Sequence, residues 1–146
     1  MHKESQIISD FDGNILWKSE FDASLGTTAS LLVHTLDLKH LDINYNEVFI
    51  ITTLNDVNHV SYLVKPKALK LKKAPISQRI TKTKNGFKIT LRSTTLQKNV
   101  FLYTKEKGHF NDNYFDLLPH NKINIEFTSD TPILNDLKLK SLNDLL

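Results

Sequence analysis

An all-β sandwich is the fold class this sequence predicts. Three observations predict it: strict apolar–polar alternation in several short segments, Asn/Asp/Gly turn signals between segments, and no long stretch with a 3.6-residue apolar period. In chain order, Asp12-Gly13-Asn14 is the first turn signal, since these residue types tolerate the positive φ that tight β-turns demand. It leads into the apolar run Ile15-Leu16-Trp17. Leu31-Leu32-Val33, Val48-Phe49-Ile50-Ile51 and Val100-Phe101-Leu102-Tyr103 are also apolar on both faces, and all four runs read as inner strands covered from both sides. Asp37-Leu38-Lys39-His40-Leu41 reads as one helical turn. Asn85-Gly86 is a second hairpin signal, followed by the alternating Phe87-Lys88-Ile89-Thr90-Leu91-Arg92. Ile123 to Thr128 and Leu137 to Lys140 alternate in the same way, which gives half-buried strands with one wet face. About ten short strands at roughly even spacing suit a sandwich.

Composition narrows the classes. The chain has 146 residues, 40% of them apolar, enough for one ordinary domain or two very small ones. No apolar run reaches the ~20 residues of a membrane span, and Met1 to Gln6 is polar, unlike the start of a signal peptide. There are no cysteines, so disulfides, thiol nucleophiles and thiolate metal sites are excluded. No Asn-x-Ser/Thr sequon occurs.

The boundary falls in Lys65-Pro66-Lys67-Ala68-Leu69-Lys70-Leu71-Lys72-Lys73-Ala74-Pro75, whose prolines interrupt sheet pairing at both ends. This divides the chain into residues 1–70 and 71–146. Charge changes sign here as well. Residues 1–64 carry 3 Lys against 9 acids, residues 65–107 carry 13 Lys and Arg against Glu106 alone, and residues 108–146 carry 3 Lys against 6 acids. A basic block of that size raises the question of nucleic acid, because clustered cations gain affinity for phosphates by releasing counterions. The lysine run 65–75 lacks the glycines and interleaved aromatics of a single-strand binder, and Lys82, Lys84 and Lys88 sit where lysine discourages strand-edge aggregation. The expectation is therefore a solvated linker and strand faces, with no nucleic-acid partner.

A search for catalytic constellations is nearly empty. The six histidines are scattered singly, with no His-x-x-x-His or His-x-His pair to share a metal. There is no glycine-rich phosphate loop and no Gly-x-Ser-x-Gly elbow. Asn46-Glu47 imitates an Asn-Glu acid pair, but Glu47 opens a strand with no barrel units after it and reads as a surface acid. Asp10, Asp12, Asp112 and Asp116 fall in turns, where carboxylates accept backbone N–H bonds. No catalytic residue, metal site or cofactor is expected.

The most specific stretch is Phe110-Asn111-Asp112-Asn113-Tyr114-Phe115-Asp116-Leu117-Leu118-Pro119. It resembles a signature near the C-terminus of the β-mannosidases of glycoside hydrolase family 2, where a Ser-Asp-Asn-aromatic-Phe-Asp-Leu-Leu-Pro-Gly pattern is found. Asp10 to Trp17 is similar to a hairpin of the immunoglobulin-like domain that follows the catalytic barrel, and Lys65 to Leu71 to its exit segment. Leu137 to Asp144 resembles the family's closing strand with its Ser-Leu-x-Asp element. Two departures stand out: Asn111 replaces a serine, and His120 replaces the glycine after Pro119, which suggests a turn that tolerates a side chain.

The resemblance implies an immunoglobulin-like β-sandwich, a partial first sandwich over 1–70 followed by a complete one over 71–146. Only five strands precede Lys65 where about seven are usual, and an exposed strand edge there would favour dimerisation. It also implies a parent enzyme that releases terminal β-linked mannose with retention through two glutamates, neither of them in this chain. The chain's partners would be the catalytic barrel and other domains of that parent, with a mannose-containing glycan as the parent's substrate and no membrane contact. Asn113, Phe115, Asp116 and Pro119 are the structural signature, and Phe110, Tyr114, Leu117 and Leu118 join Phe115 as core plugs. The functional alternative is that Tyr114 or His109 reaches toward the parent's sugar cleft. The tail of an exo-β-glucosaminidase is a second family reading. A stand-alone carbohydrate-binding or adhesion module is a third, with Trp17, Phe101 and Tyr103 as its only platform residues. Richness in Lys, Asn and Ile fits a bacterial source, periplasmic or cytoplasmic.

Overall fold

The computed structural model describes residues 3–22 and 42–145. They fall into two compact units, 1–70 and 71–146. The expected strand at 31–33 and helical turn at 37–41 lie outside the described residues.

In the first unit β1 (Lys3–Asp10), β2 (Ile15–Asp22), β3 (Val48–Leu54) and β4 (Val57–Ser61) form one antiparallel sheet in the order β2-β1-β3-β4. The first hairpin closes on Asp10, whose Oδ1 accepts the N–H of Asp12 at 3.0 Å and of Asn14 at 2.9 Å, while Gly13 takes φ 92°. The β3–β4 turn uses Asn55 and Asp56 at φ 51° and 64°, the paired left-handed geometry of a two-residue hairpin loop. Ile8, Val48 and Ile50 are buried together, with Trp17, Ile43 and Leu63 packed on them. The expectation that Ile15-Leu16-Trp17 is covered on both sides is corrected. Strand β2 ends the described sheet order with one neighbour only, and Ile15 and Leu16 are exposed.

In the second unit β5 (Ser77–Thr83), β6 (Gly86–Arg92), β8 (His109–Phe110) and β10 (Ile123–Thr128) form a sheet in the order β5-β6-β10-β8. Strands β7 (Gln97–Tyr103), β9 (Phe115–Leu117) and β11 (Lys138–Lys140) form another in the order β11-β7-β9. Register explains the core. Ile125 pairs with Ile89 and Phe127 with Phe87, so period-2 alternation sends all four to one face. There they meet Leu91 and, from the other sheet, Val100, Leu102 and Leu117, with Leu134 closing the cluster. Burying each such side chain contributes about 1.5–3 kcal/mol. Gly86 begins β6 because a Cβ there would lie 1.9 Å from the Phe127 carbonyl oxygen.

Strand β7 also departs from the two-sided burial expected of it. Val100 and Leu102 point into the core, whereas Phe101 is half-buried and Tyr103 exposed. The outer face of this sheet therefore carries rings.

Candidate functional site

The signature segment is built onto β7. Strand β9 pairs with it at Gln97↔Leu117 and Val100↔Phe115, with a register shift between, where Asn99 takes φ 52°. A bulge leaves backbone groups off the ladder, and Asp116 serves them. Its Oδ1 accepts the Asn99 N–H at 3.0 Å, and its carboxylate pairs with the Lys98 ammonium at 3.0 Å, both side chains mostly buried. Beyond the end of β9, Asn113 replaces a missing strand residue. Its Oδ1 accepts the Leu102 N–H at 2.7 Å, and its Nδ2 donates to the Leu102 carbonyl at 2.9 Å. One side-chain amide thus supplies the donor and acceptor that a paired backbone would supply. Leu117 is fully buried, Pro119 is buried, and Phe110 and Phe115 pack on the core.

Tyr114 corrects the core-plug expectation, being 72% exposed. Its φ of 58° is uncommon for a bulky residue and turns the ring out of the core. There it stacks on Phe101 at 5.3 Å between ring centroids, and Phe101 stacks on Tyr103 at 5.8 Å. The Lys140 ammonium lies over the Tyr103 ring, 5.9 Å from its centroid. A groove of roughly 550 Å³ beside this row is lined by Asn99, Phe101, Tyr114, Lys140, Leu142 and Asp144, among others.

The closing Ser-Leu-x-Asp element is tied in from behind. Asn143, at the variable position, is fully buried. Its Nδ2 donates to the carbonyls of Lys72 and Leu96, each at 2.7 Å, and its Oδ1 accepts the Lys98 N–H at 3.0 Å. Ser141 Oγ donates to buried Gln97 Oε1 at 2.8 Å, and Gln97 Nε2 donates to the Ala74 carbonyl at 2.9 Å. Asp144 accepts the Ser141 N–H at 2.9 Å. Sequence reasoning missed Gln97 and Asn143, whose partners are distant in the chain. Asp136 is a further carboxylate held by donors: the Thr104 hydroxyl and the Lys105 N–H bond it, and they hold its carboxyl below the usual range.

The two residues considered for sugar contact stand apart, one on a strand of the β5-β6-β10-β8 sheet and the other in the bend just before β9. His109 is exposed on β8 opposite Thr128, while Tyr114 belongs to the row on β7. Trp17, considered with Phe101 and Tyr103 for a platform, packs instead on the apolar cluster of the first unit. The turn after Pro119 holds the exposed side chain of His120. At φ 64° this residue keeps the left-handed conformation that a glycine adopts at no cost, with its N–H donated to the Ser93 carbonyl at 2.7 Å. Among the described residues no cluster of three or more His, Asp or Glu is placed to hold a metal, and no helix is long and apolar enough to cross a membrane.

Two antiparallel sheets closed on one apolar core define an immunoglobulin-like β-sandwich. The family model of the mannosidase Ig-fold domain matches residues 71–145. The chain belongs to that family. Among solved structures, the crystal structure of a β-D-mannosidase from Dictyoglomus thermophilum is similar in fold, with a TM-score of 0.63 and 16% identity. The likeness covers 97% of this chain and 18% of that one, so the chain spans under a fifth of the length of the structure it resembles. A comparison with curated proteins found no match.

Proposed function

We propose that this chain is an accessory β-sandwich portion of a β-mannosidase-type glycoside hydrolase, and that it is catalytically silent by itself. The observation that carries the reading is the family match over 71–145. The use to which the signature is put supports it. Asn113 and Asp116 spend their polar atoms on the backbone of β7, and Asn143 and Gln97 on buried carbonyls and a hydroxyl. Retaining glycoside hydrolysis needs two carboxyl groups about 5–5.5 Å apart flanking the scissile bond. Asp10, Asp116, Asp136 and Asp144 are engaged as caps and pairs. The first unit would be a partial sandwich that follows the parent's barrel in the chain. Release of terminal β-linked mannose belongs to that parent, whose other domains are this chain's partners.

The test is turnover by the purified chain of 4-nitrophenyl β-mannoside, with 4-nitrophenyl β-glucosaminide alongside for the exo-β-glucosaminidase reading. No release above the buffer rate is expected with either. Saturable release that follows the protein through purification would overturn the proposal.

A further inference from the structure

The row of rings on the outer face of β7 is not used by the accessory role. Tyr103, Phe101 and Tyr114 follow one another at 5.8 and 5.3 Å, with planes 27° and 20° apart. One end of the row is closed, because the Lys140 ammonium sits over Tyr103. The other end is open: Tyr114 is the most exposed of the three rings, and its backbone is held at φ 58°. A left-handed conformation costs a non-glycine residue roughly 1–2 kcal/mol. The neighbouring Asn113 is anchored by its two bonds to Leu102. Backbone strain of this kind clusters at binding sites as well as at turns, which directs attention to the ring face and the groove beside it.

From this geometry we propose that the Tyr114 face and the groove beside it form a weak binding site for a neutral pyranose. Stacked rings offer the apolar face that the C–H groups of a sugar cover. The groove rim supplies what hydroxyls need, namely donors on Lys140 and Asn99 and an acceptor on Asp144. That rim holds one cation and one carboxylate, so it has no net charge and suits a neutral polyol better than an anion. The groove lies over side chains on a sheet face and along the C-terminal segment, not along an open strand edge. It gives an extended peptide no backbone ladder to join. The inference stands apart from the accessory role, which a chain without sugar binding would still fill.

The experiment is an NMR titration of the full 15N-labelled chain with methyl β-mannoside, methyl β-glucoside and β-1,4-mannobiose. The expected result is a saturable shift confined to Asn99, Phe101, Tyr114 and Ser141, with a dissociation constant on the order of 1–10 mM. Tyr114→Asn removes the ring while keeping a residue that tolerates positive φ, so the fold should persist. Its binding should fall about three- to tenfold, the share that one aromatic stack supplies. Three outcomes would overturn the site: no saturable shift at concentrations well above that range, shifts that Tyr114→Asn leaves unchanged, or shifts of the same residues on dilution without sugar, which would mark a contact between copies of the chain.

Discussion

The two outer faces of the second unit are built from the same kind of alternating strand and end up with opposite characters. On the β5-β6-β10 side the outward positions are Arg79, Lys88, Arg92, Lys122 and small polar residues, lining a shallow basic groove. Every residue of β5 is exposed, and the strand is held by its ladder to β6. On the β7-β9 side the outward positions are rings, and side chains bond directly to backbone: Asn113 to Leu102, Asp116 to Asn99, Asn143 to Lys98. The difference separates solvation from construction. A cation on the first face has water to return to, and its removal leaves nothing unsatisfied. Removing Asn113 or Asn143 from the second face strands part-buried backbone donors and acceptors, each costing about 1 kcal/mol or more.

The sharpest way to break this contrast is a paired substitution. Leu117→Ala, at a fully buried position of β9, should lose about 3–4 kcal/mol in chemical denaturation, while Arg79→Ala on the basic face should stay within about 0.5 kcal/mol of the parent chain. Equal losses would erase the distinction between the faces. Asn113→Ala comes next, at about 2 kcal/mol for two orphaned backbone groups on Leu102. Stability unchanged by that substitution would mean the signature asparagine is not a strand surrogate. A smaller gain is expected from His120→Gly, which relieves a left-handed residue and should raise stability by about 1 kcal/mol. A loss instead would show that the imidazole contributes contacts worth more than the strain.

The smallest effect concerns Asp136. Its carboxyl is held low, first by the Thr104 hydroxyl and then by the Lys105 N–H. The folded value lies below the unfolded one, so the group stabilises the fold above about pH 4 and loses that contribution as pH falls through the folded value. A thermal melt series should therefore show Asp136→Asn differing from the parent chain near neutrality and converging with it in acid. A gap that widened in acid would reverse the assignment.

Much of the architecture was legible in the sequence, and the failures have common physical causes. Phe87 to Arg92 and Ile123 to Thr128 alternate because each has one dry face, and both are strands. Asn85-Gly86 marks its hairpin because a Cβ at 86 would strike Phe127. Ile15-Leu16-Trp17 misled because burial depends on which strands pair with β2, and that is not local information. Asn55-Asp56 did carry a turn signal, two adjacent residues tolerant of positive φ, but with no glycine to mark it. The bulge at Asn99 has no signature of its own, and the role of Asn143 depends on groups at 72, 96 and 98. Tyr114 was misread because residue type favours the core, whereas the backbone at φ 58° sends the ring outward.

The accessory assignment is tested most directly by reading the gene upstream of the codon for Met1. The account predicts that the frame stays open into a barrel that carries an Asn-Glu acid pair and a second glutamate. An in-frame stop preceded by the chain's own promoter and ribosome-binding site would contradict it, and would make the ring-lined groove the first place to look for a function.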